Sequence, residues 1–488
     1  MAGVPTYRGC DACRGQKKKC DQAKPACSRC TRLNIPCVGC GQIRYKFKDH
    51  SGPPKKGRRS SSPASSTKSK SASPSPSLSP TLSNQVTVRS SSFISLLEIR
   101  DPRYDLTSYG VFFRDLPRRL GTNEALDAAV DVMASSYSYL RTRQSSKESL
   151  VKYVNALQAL QRCLSDPEMA KKSETLCAIY IIMICQGWTG RDGDQKTTHG
   201  EGLAHLLDAA TSRRNLDEFE TLIRDTLYVP VLLESICNPK LRLSQWYSRL
   251  KQQAYDSSLI DEDQGTLVAG PFMHLAKIPD FINDPVTHLD NIMSSYQQLR
   301  REMPEKKQAL QGFEAMMFSD GPKDMSSYDL AKIHIQYQIL WGLLLMAGLV
   351  YNGFLRALGA DDGFMEDEAI VMANDAVELA KSASIYRPLG ASFVPMCLIP
   401  AWAATDDQGV QMNVVKALEA YRADFTQLTA RSWYVLATWL KGEYDLLRMG
   451  LPPSGVECYN EETWGTMVLD DEGNHLDGGI ARNWFEVS

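Results

Sequence analysis

The 488-residue chain lacks any unbroken apolar run of the roughly 18 to 20 residues that a bilayer-crossing helix needs; the longest, Ile339 to Tyr351, has 13. That run reads as a core helix, and no membrane partner is expected. The start also lacks the apolar stretch of a secretory signal, because Met1-Ala2-Gly3-Val4-Pro5-Thr6-Tyr7-Arg8 leads straight into a basic, cysteine-rich segment. A reducing compartment is therefore expected, where thiols stay free or bind metal. Enzyme signatures are missing as well. There is no G-x-S-x-G, P-loop, H-E-x-x-H or Rossmann glycine pattern, and His199-x-Glu201 has no downstream C-x-x-C of the kind a zinc deaminase requires. No catalytic residue is nominated and no enzyme is expected. Finally, no strand alternation of useful length and no repeat of fixed period is found.

The formal net charge of −2 conceals an asymmetry. Residues 1–70 carry 17 Lys and Arg against 3 Asp and Glu, whereas the remainder carries 38 against 54. A basic head on an acidic body means that the head alone suits a polyanion, with nucleic acid ahead of an anionic membrane surface.

Three regions follow from composition: 8–40, a cysteine module; 41–92, a basic and then Ser/Pro-rich linker; and 93–488, a large helical body. The basic stretch ends in Pro54-Lys55-Lys56-Gly57-Arg58-Arg59, so that Lys55, Lys56, Arg58 and Arg59 read either as a nuclear import signal or as a solvated tail that adds to polyanion affinity. From Ser60 to Ser92 almost no aliphatics occur, and a disordered linker is expected, with Ser-Pro pairs that are phosphosites or merely linker composition.

Beyond Phe93 the period becomes helical. Leu126, Val130, Met133, Tyr137 and Leu140 line one helix face after the cap candidates Thr122 and Asn123, and Leu150, Val154, Leu157, Leu160 and Leu164 line another. Further helices are expected at 173–188, 199–210, 216–237, 286–301, 327–357, 366–384, 412–423 and 428–448, with a seam near 255–270. The Met and aromatic residues of 333–354 read as a core stripe or as the lining of an effector pocket. Residues 457–486 suit either an acidic-aromatic activation segment or a solvated tail.

The most specific feature is Cys10, Cys13, Cys20, Cys27, Cys30 and Cys37, spaced C-x2-C-x6-C-x6-C-x2-C-x6-C. Zinc takes four donors in a tetrahedron, so six thiolates satisfy two ions only if two sulfurs bridge both. Two Zn2+ per chain are expected, structural because no coordination position is left for water. Six thiolates and two zincs sum to a formal charge of −2, which the neighbouring basic residues offset. Arg14, Lys17, Lys18 and Lys19 lie between Cys13 and Cys20, where a short helix from Asp11 would present them to a major groove. Lysines there can donate to guanine O6 and N7 while Arg14 pairs with phosphate. Cys40 is a seventh thiol outside a completed pattern.

The run Cys10-Asp-Ala-Cys-Arg-Gly-Gln-Lys-Lys-Lys-Cys-Asp, followed by Lys24-Pro-Ala-Cys-Ser-Arg-Cys and Ile35-Pro-Cys, resembles the fungal Zn2Cys6 binuclear cluster family of transcription factors. The resemblance covers residues 10–37. It implies that Cys10 and Cys27 bridge the zincs, that Pro25 shapes the turn between the halves, and that Lys17 and Lys18 read a CGG-type triplet. It further implies double-stranded DNA and the transcription machinery or coregulators as partners, a nuclear location, and control of a metabolic or biosynthetic gene cluster. Gln16 departs from the family, which often has a basic residue there. Residues 41–92 hold no a/d heptads, so the protein binds as a monomer or pairs as a homodimer through its helical body. The segment His199-Gly-Glu-Gly-Leu-Ala-His-Leu-Leu resembles the regulatory domain found after such clusters; His199 and His205 are six apart, a spacing that suits packing better than ligation. The competing function is a zinc-stapled module that contacts protein or RNA.

Overall fold

The computed structural model describes residues 10–37, 84–189, 203–207, 217–241, 273–319, 325–425 and 430–455, apart from Asp11, Arg14, Gly15, Lys17, Ser145, His205, Pro239 and Lys240. The basic stretch with Lys55, Lys56, Arg58 and Arg59, the linker up to Ser83, His199 and His205, the 255–270 seam, and the 457–486 tail lie outside the described residues. The chain forms two compact units, Met1–Ser79 and Pro80–Ser488.

In the first unit, helix α1 (Ser28–Arg32) is a short turn held by sulfur at its start. The second unit is helical, with no strand among the described residues. It begins with α2 (Gln85–Leu97), eight residues before the expected boundary at Phe93. The Ser-rich sequence has weak helix propensity, yet Asn84 caps it by accepting from the Val86 N–H. Burial of Phe93 and the contacts of Arg89 with Asp127 and Asp131, both pairs within 2.9 Å, then dock it on α3 (Glu124–Ser136). Tertiary contacts override propensity here.

Asn123 caps α3 through the Ala125 and Leu126 N–H groups, and the expected face Leu126, Val130, Met133, Tyr137 and Leu140 is buried. For α4 (Lys147–Ser165) the expected face is wrong by about a quarter turn. Leu150, Val154 and Leu164 are 51%, 45% and 40% exposed, while Ala156, Ala159, Leu160 and Cys163 are buried. Small residues let α4 approach α3 and α5 (Ser173–Thr189) closely, which decides the orientation over the larger aliphatics. A capping box between Asp217 and Glu220 opens α6 (Glu218–Cys237).

The second half of the body is built around one helix. After α7 (Ile278–Asn283), α8 (Leu289–Met317) runs through Pro304 instead of stopping at 301. Its later turns are held by the Lys307–Asp375 ion pair at 2.7 Å and by Phe313 stacked on Tyr337 at 5.2 Å. Helix α9 (Ser327–Ala357) absorbs the Ile339–Tyr351 run. With its flanks it is long and apolar enough, by length and composition, to cross a membrane, although the unbroken run itself has 13 residues. The flanking polar residues break the run in sequence but not the helix. In the molecule 94% of its most apolar 18-residue window is buried. It packs against α8, α10 (Met365–Ala383), α11 (Val394–Ala403) and α13 (Ala430–Arg448). Helix α12 (Gln408–Arg422) covers α10 and α11. Trp341, Met346, Tyr351 and Phe354 are thus packed core. Gly353 is required where α13 crosses: a Cβ there would lie 2.3 Å from the Tyr444 ring.

The halves of the body meet through buried polar contacts. Asp105 accepts from the Tyr328 hydroxyl at 2.6 Å and pairs with Lys332 at 3.0 Å. Asp424 receives Arg387 at 2.6 Å and Arg143 at 3.3 Å. Cys163, Cys177, Cys185 and Cys397 are buried free thiols, and burial pushes the Cys397 thiol up to about 12.

Candidate metal centre

Two short halves build the head. Ala12 and Cys13 are helical, and the Lys18 N–H returns to the Cys13 carbonyl at 2.9 Å to close the first turn. In the second, Cys27 caps α1 and Ser28 is tied to Asp21, whose carboxylate accepts from the Ser28 N–H at 3.1 Å and from its hydroxyl. The Ser28 hydroxyl and N–H hold Asp21 below the usual carboxylate range. Between the halves the chain bends at Lys24 to Ala26 around a cis Lys24–Pro25 bond, which puts Pro25 in the expected turn.

The halves repeat each other. The Cys10 N–H points at the Cys20 sulfur at 3.5 Å, and the Cys27 N–H at the Cys37 sulfur at 3.3 Å. In each half the third thiol thus folds back on the backbone of the first. The six thiols are all free and not joined as disulfides, with Cys10, Cys13, Cys27 and Cys30 fully buried, Cys20 nearly so and Cys37 half-buried.

Their sulfurs form two groups of four, each within 4.8 Å: Cys10, Cys13, Cys20 and Cys27, and Cys10, Cys27, Cys30 and Cys37. Cys10 and Cys27 are common to both, the pair that the resemblance implied as bridging. Their sulfurs are 3.8 Å apart, as are those of Cys13 and Cys27. A zinc–sulfur bond of about 2.3 Å puts the corners of a tetrahedron roughly 3.8 Å apart, the spacing of these two pairs. Sulfur-only, fourfold sets favour zinc over hard cations.

The backbone sorts these thiols. The Cys13 N–H holds the Cys10 thiol below its ordinary range, and the Cys30 N–H, donating at 3.4 Å, does the same for Cys27. Burial pushes Cys13 up to about 12 and Cys30 upward too. The shared positions are therefore the ones where helix-start amides favour thiolate.

Of the groove-reading candidates, Lys18 and Lys19 are exposed and follow the turn, while Arg14 and Lys17 lie outside the described residues. Arg29 was not singled out from the sequence. It donates to Gln16 Oε1 at 2.6 Å and approaches the Cys13 sulfur at 4.0 Å, joining the halves. No spacing rule signals such a contact, since 13 residues separate Arg29 from Gln16.

Residues 8–46 match the family described as the fungal Zn(2)-Cys(6) binuclear cluster domain, which binds two zinc ions. Over 39 residues the chain is 49% identical to Arginine metabolism regulation protein II of Saccharomyces cerevisiae. That stretch is 8% of this chain and 4% of the yeast protein. No solved structure matches the chain.

Proposed function

We propose that this chain, with a Zn(2)-Cys(6) binuclear cluster domain at residues 8–46, is a DNA-binding transcriptional regulator of the RNA polymerase II type. One observation carries the reading: two thiolate tetrads share Cys10 and Cys27 in a head too small for an apolar core, and exposed Lys18 and Lys19 stand beside them. Cys10, Cys13, Cys20, Cys27, Cys30 and Cys37 hold the zincs. The metals fold the head and do no chemistry on a substrate.

Lys17, Lys18 and Lys19 face guanines of a CGG-like site, and Arg14 faces phosphate. The charge asymmetry supports this division, because an acidic body would be repelled by the duplex that the head binds. The protein works in the nucleus, with Lys55, Lys56, Arg58 and Arg59 as its import segment, and its helical body receives coregulators and pairs two copies on DNA. Its targets are genes of a metabolic or biosynthetic cluster.

Titration of the zinc-loaded chain against a CGG-containing duplex at several salt concentrations tests the reading. The logarithm of affinity should fall with the logarithm of salt by about 0.9 per phosphate contacted. A chelator should abolish binding, and single-stranded RNA should compete poorly. Salt-independent binding, or equal preference for the RNA, would refute duplex recognition.

A further inference from the structure

We infer that Arg29 is an internal strut of the zinc head and not a phosphate contact, with Gln16 as the acceptor that keeps it there. The strut stands on geometry; only its effect on recognition rests on the DNA-binding reading above.

Arg29 lies within α1 and is half-buried, unlike Arg32, which is exposed at the end of the same helix. One of its terminal nitrogens donates to Gln16 Oε1 at 2.6 Å, and the other lies 4.0 Å from the Cys13 sulfur. A planar guanidinium with a rigid fork of donors can serve two acceptors from one position, which an ammonium cannot do as well. The positive charge thus sits against a metal-binding sulfur of the first half while its stem belongs to the second.

Residue 16 supplies the acceptor of this contact, the neutral side-chain oxygen of Gln16. In this chain a cation at that place would sit within contact distance of the guanidinium and expel it. A neutral acceptor does the opposite. Gln16 and Arg29 are therefore one device: a neutral acceptor at 16 keeps the positive charge at 29 turned toward the first half. Together with the tie from Asp21 to Ser28, it fixes the angle between α1 and the turn that leads to Lys18 and Lys19. The expected result is a head that makes fewer phosphate contacts than its positive charges suggest and holds its lysines in one orientation.

The test uses the full chain and three variants, Arg29→Gln, Gln16→Leu and Gln16→Glu, each first checked for two bound zincs. With cadmium in place of zinc, Arg29→Gln and Gln16→Leu should shift the cadmium NMR resonance of the ion held with Cys13 more than that of its neighbour. Gln16→Glu, which keeps an acceptor, should resemble the wild type. On a CGG duplex, Arg29→Gln and Gln16→Leu should lose about three- to ten-fold in affinity relative to a scrambled duplex, the scale of one lost hydrogen bond. The slope of log affinity against log salt should stay unchanged.

A slope lower by about 0.9 in Arg29→Gln would make Arg29 a phosphate contact and overturn the proposal. Equal behaviour of Gln16→Leu and Gln16→Glu would overturn it too. Should Arg29→Gln fail to hold two zincs, the exposed-site pair Gln16→Leu and Gln16→Glu decides alone. A wild-type chain with no preference for CGG defeats the DNA reading, while the cadmium comparison still decides the strut.

Discussion

Replacing Cys27 should empty both metal positions, whereas replacing Cys20 should empty one. Cys27 belongs to both sulfur tetrads, and Cys20 only to that formed with Cys10, Cys13 and Cys27. Cys27→Ala leaves each ion with three sulfurs and removes the acceptor at the start of α1, where Cys27 takes the Cys30 N–H. Cys20→Ala leaves Cys10, Cys27, Cys30 and Cys37 intact. Structural zinc contributes on the order of 10–16 kcal/mol per site at neutral pH, and a segment of this size has no apolar core to fall back on. Loss of both sites therefore unfolds the head, and loss of one leaves half of it ordered. Elemental analysis of purified full-length protein under reducing conditions reads the outcome directly. The wild type should hold two zincs, Cys20→Ala one, and Cys27→Ala and Cys10→Ala none. If Cys27→Ala and Cys20→Ala retain equal zinc, the shared-sulfur arrangement is wrong.

Other outcomes follow from the body. Gly353→Ala should lower stability by about 1–3 kcal/mol in thermal or urea unfolding, because overpacking against Tyr444 exceeds the gain in helix propensity; an unchanged midpoint refutes the close approach of α13. Asp105 is held below the usual carboxylate range: burial opposes ionisation, but the Tyr328 and Thr107 hydroxyls and Lys332 outweigh it. Since its folded value is depressed, its contribution is present above the unfolded value of about 3.9 and is lost as pH falls through the folded one. Asp105→Asn should thus destabilise the body at pH 7 by about 1–3 kcal/mol, with the difference shrinking below about pH 4, as melting at a series of pH values will show. Arg119 lies 3.6 Å over the Phe219 ring and pairs with Glu174 at 3.0 Å, so Arg119→Ala should loosen α6 from α5, read as faster hydrogen exchange across Glu218–Cys237.

The zinc centre was legible because its information is local. Ligand chemistry and chain spacing alone restrict six thiols to two tetrahedra, and the sulfur positions agree. The helices α3 and α9 were equally visible, since their apolar periodicity and caps lie within the segments themselves. What escaped were elements decided by partners far along the chain. Helix α11, absent from the expected set, carries Pro395 and Pro400, yet its burial against α9 and α10 holds it helical. The start of α2 depends on Arg89 finding Asp131, and the orientation of α4 on small residues that only a close neighbour makes valuable. The cross-half contact of Arg29 depends likewise on the fold of both halves.

Asp424 bears on how the protein is made. Arg143, in a left-handed backbone conformation, reaches both the carbonyl and the carboxylate of a residue 281 positions later. At about 5–20 residues per second, translation leaves that arginine without its counterpart for roughly 15–60 s. The early helices of the body must wait through this interval with part of their surface open to chaperones. The cysteine head has no such dependence: once Cys37 has left the ribosome, metal supply alone governs its completion. A message cut short would release a finished metal-binding head attached to an unfinished helical body.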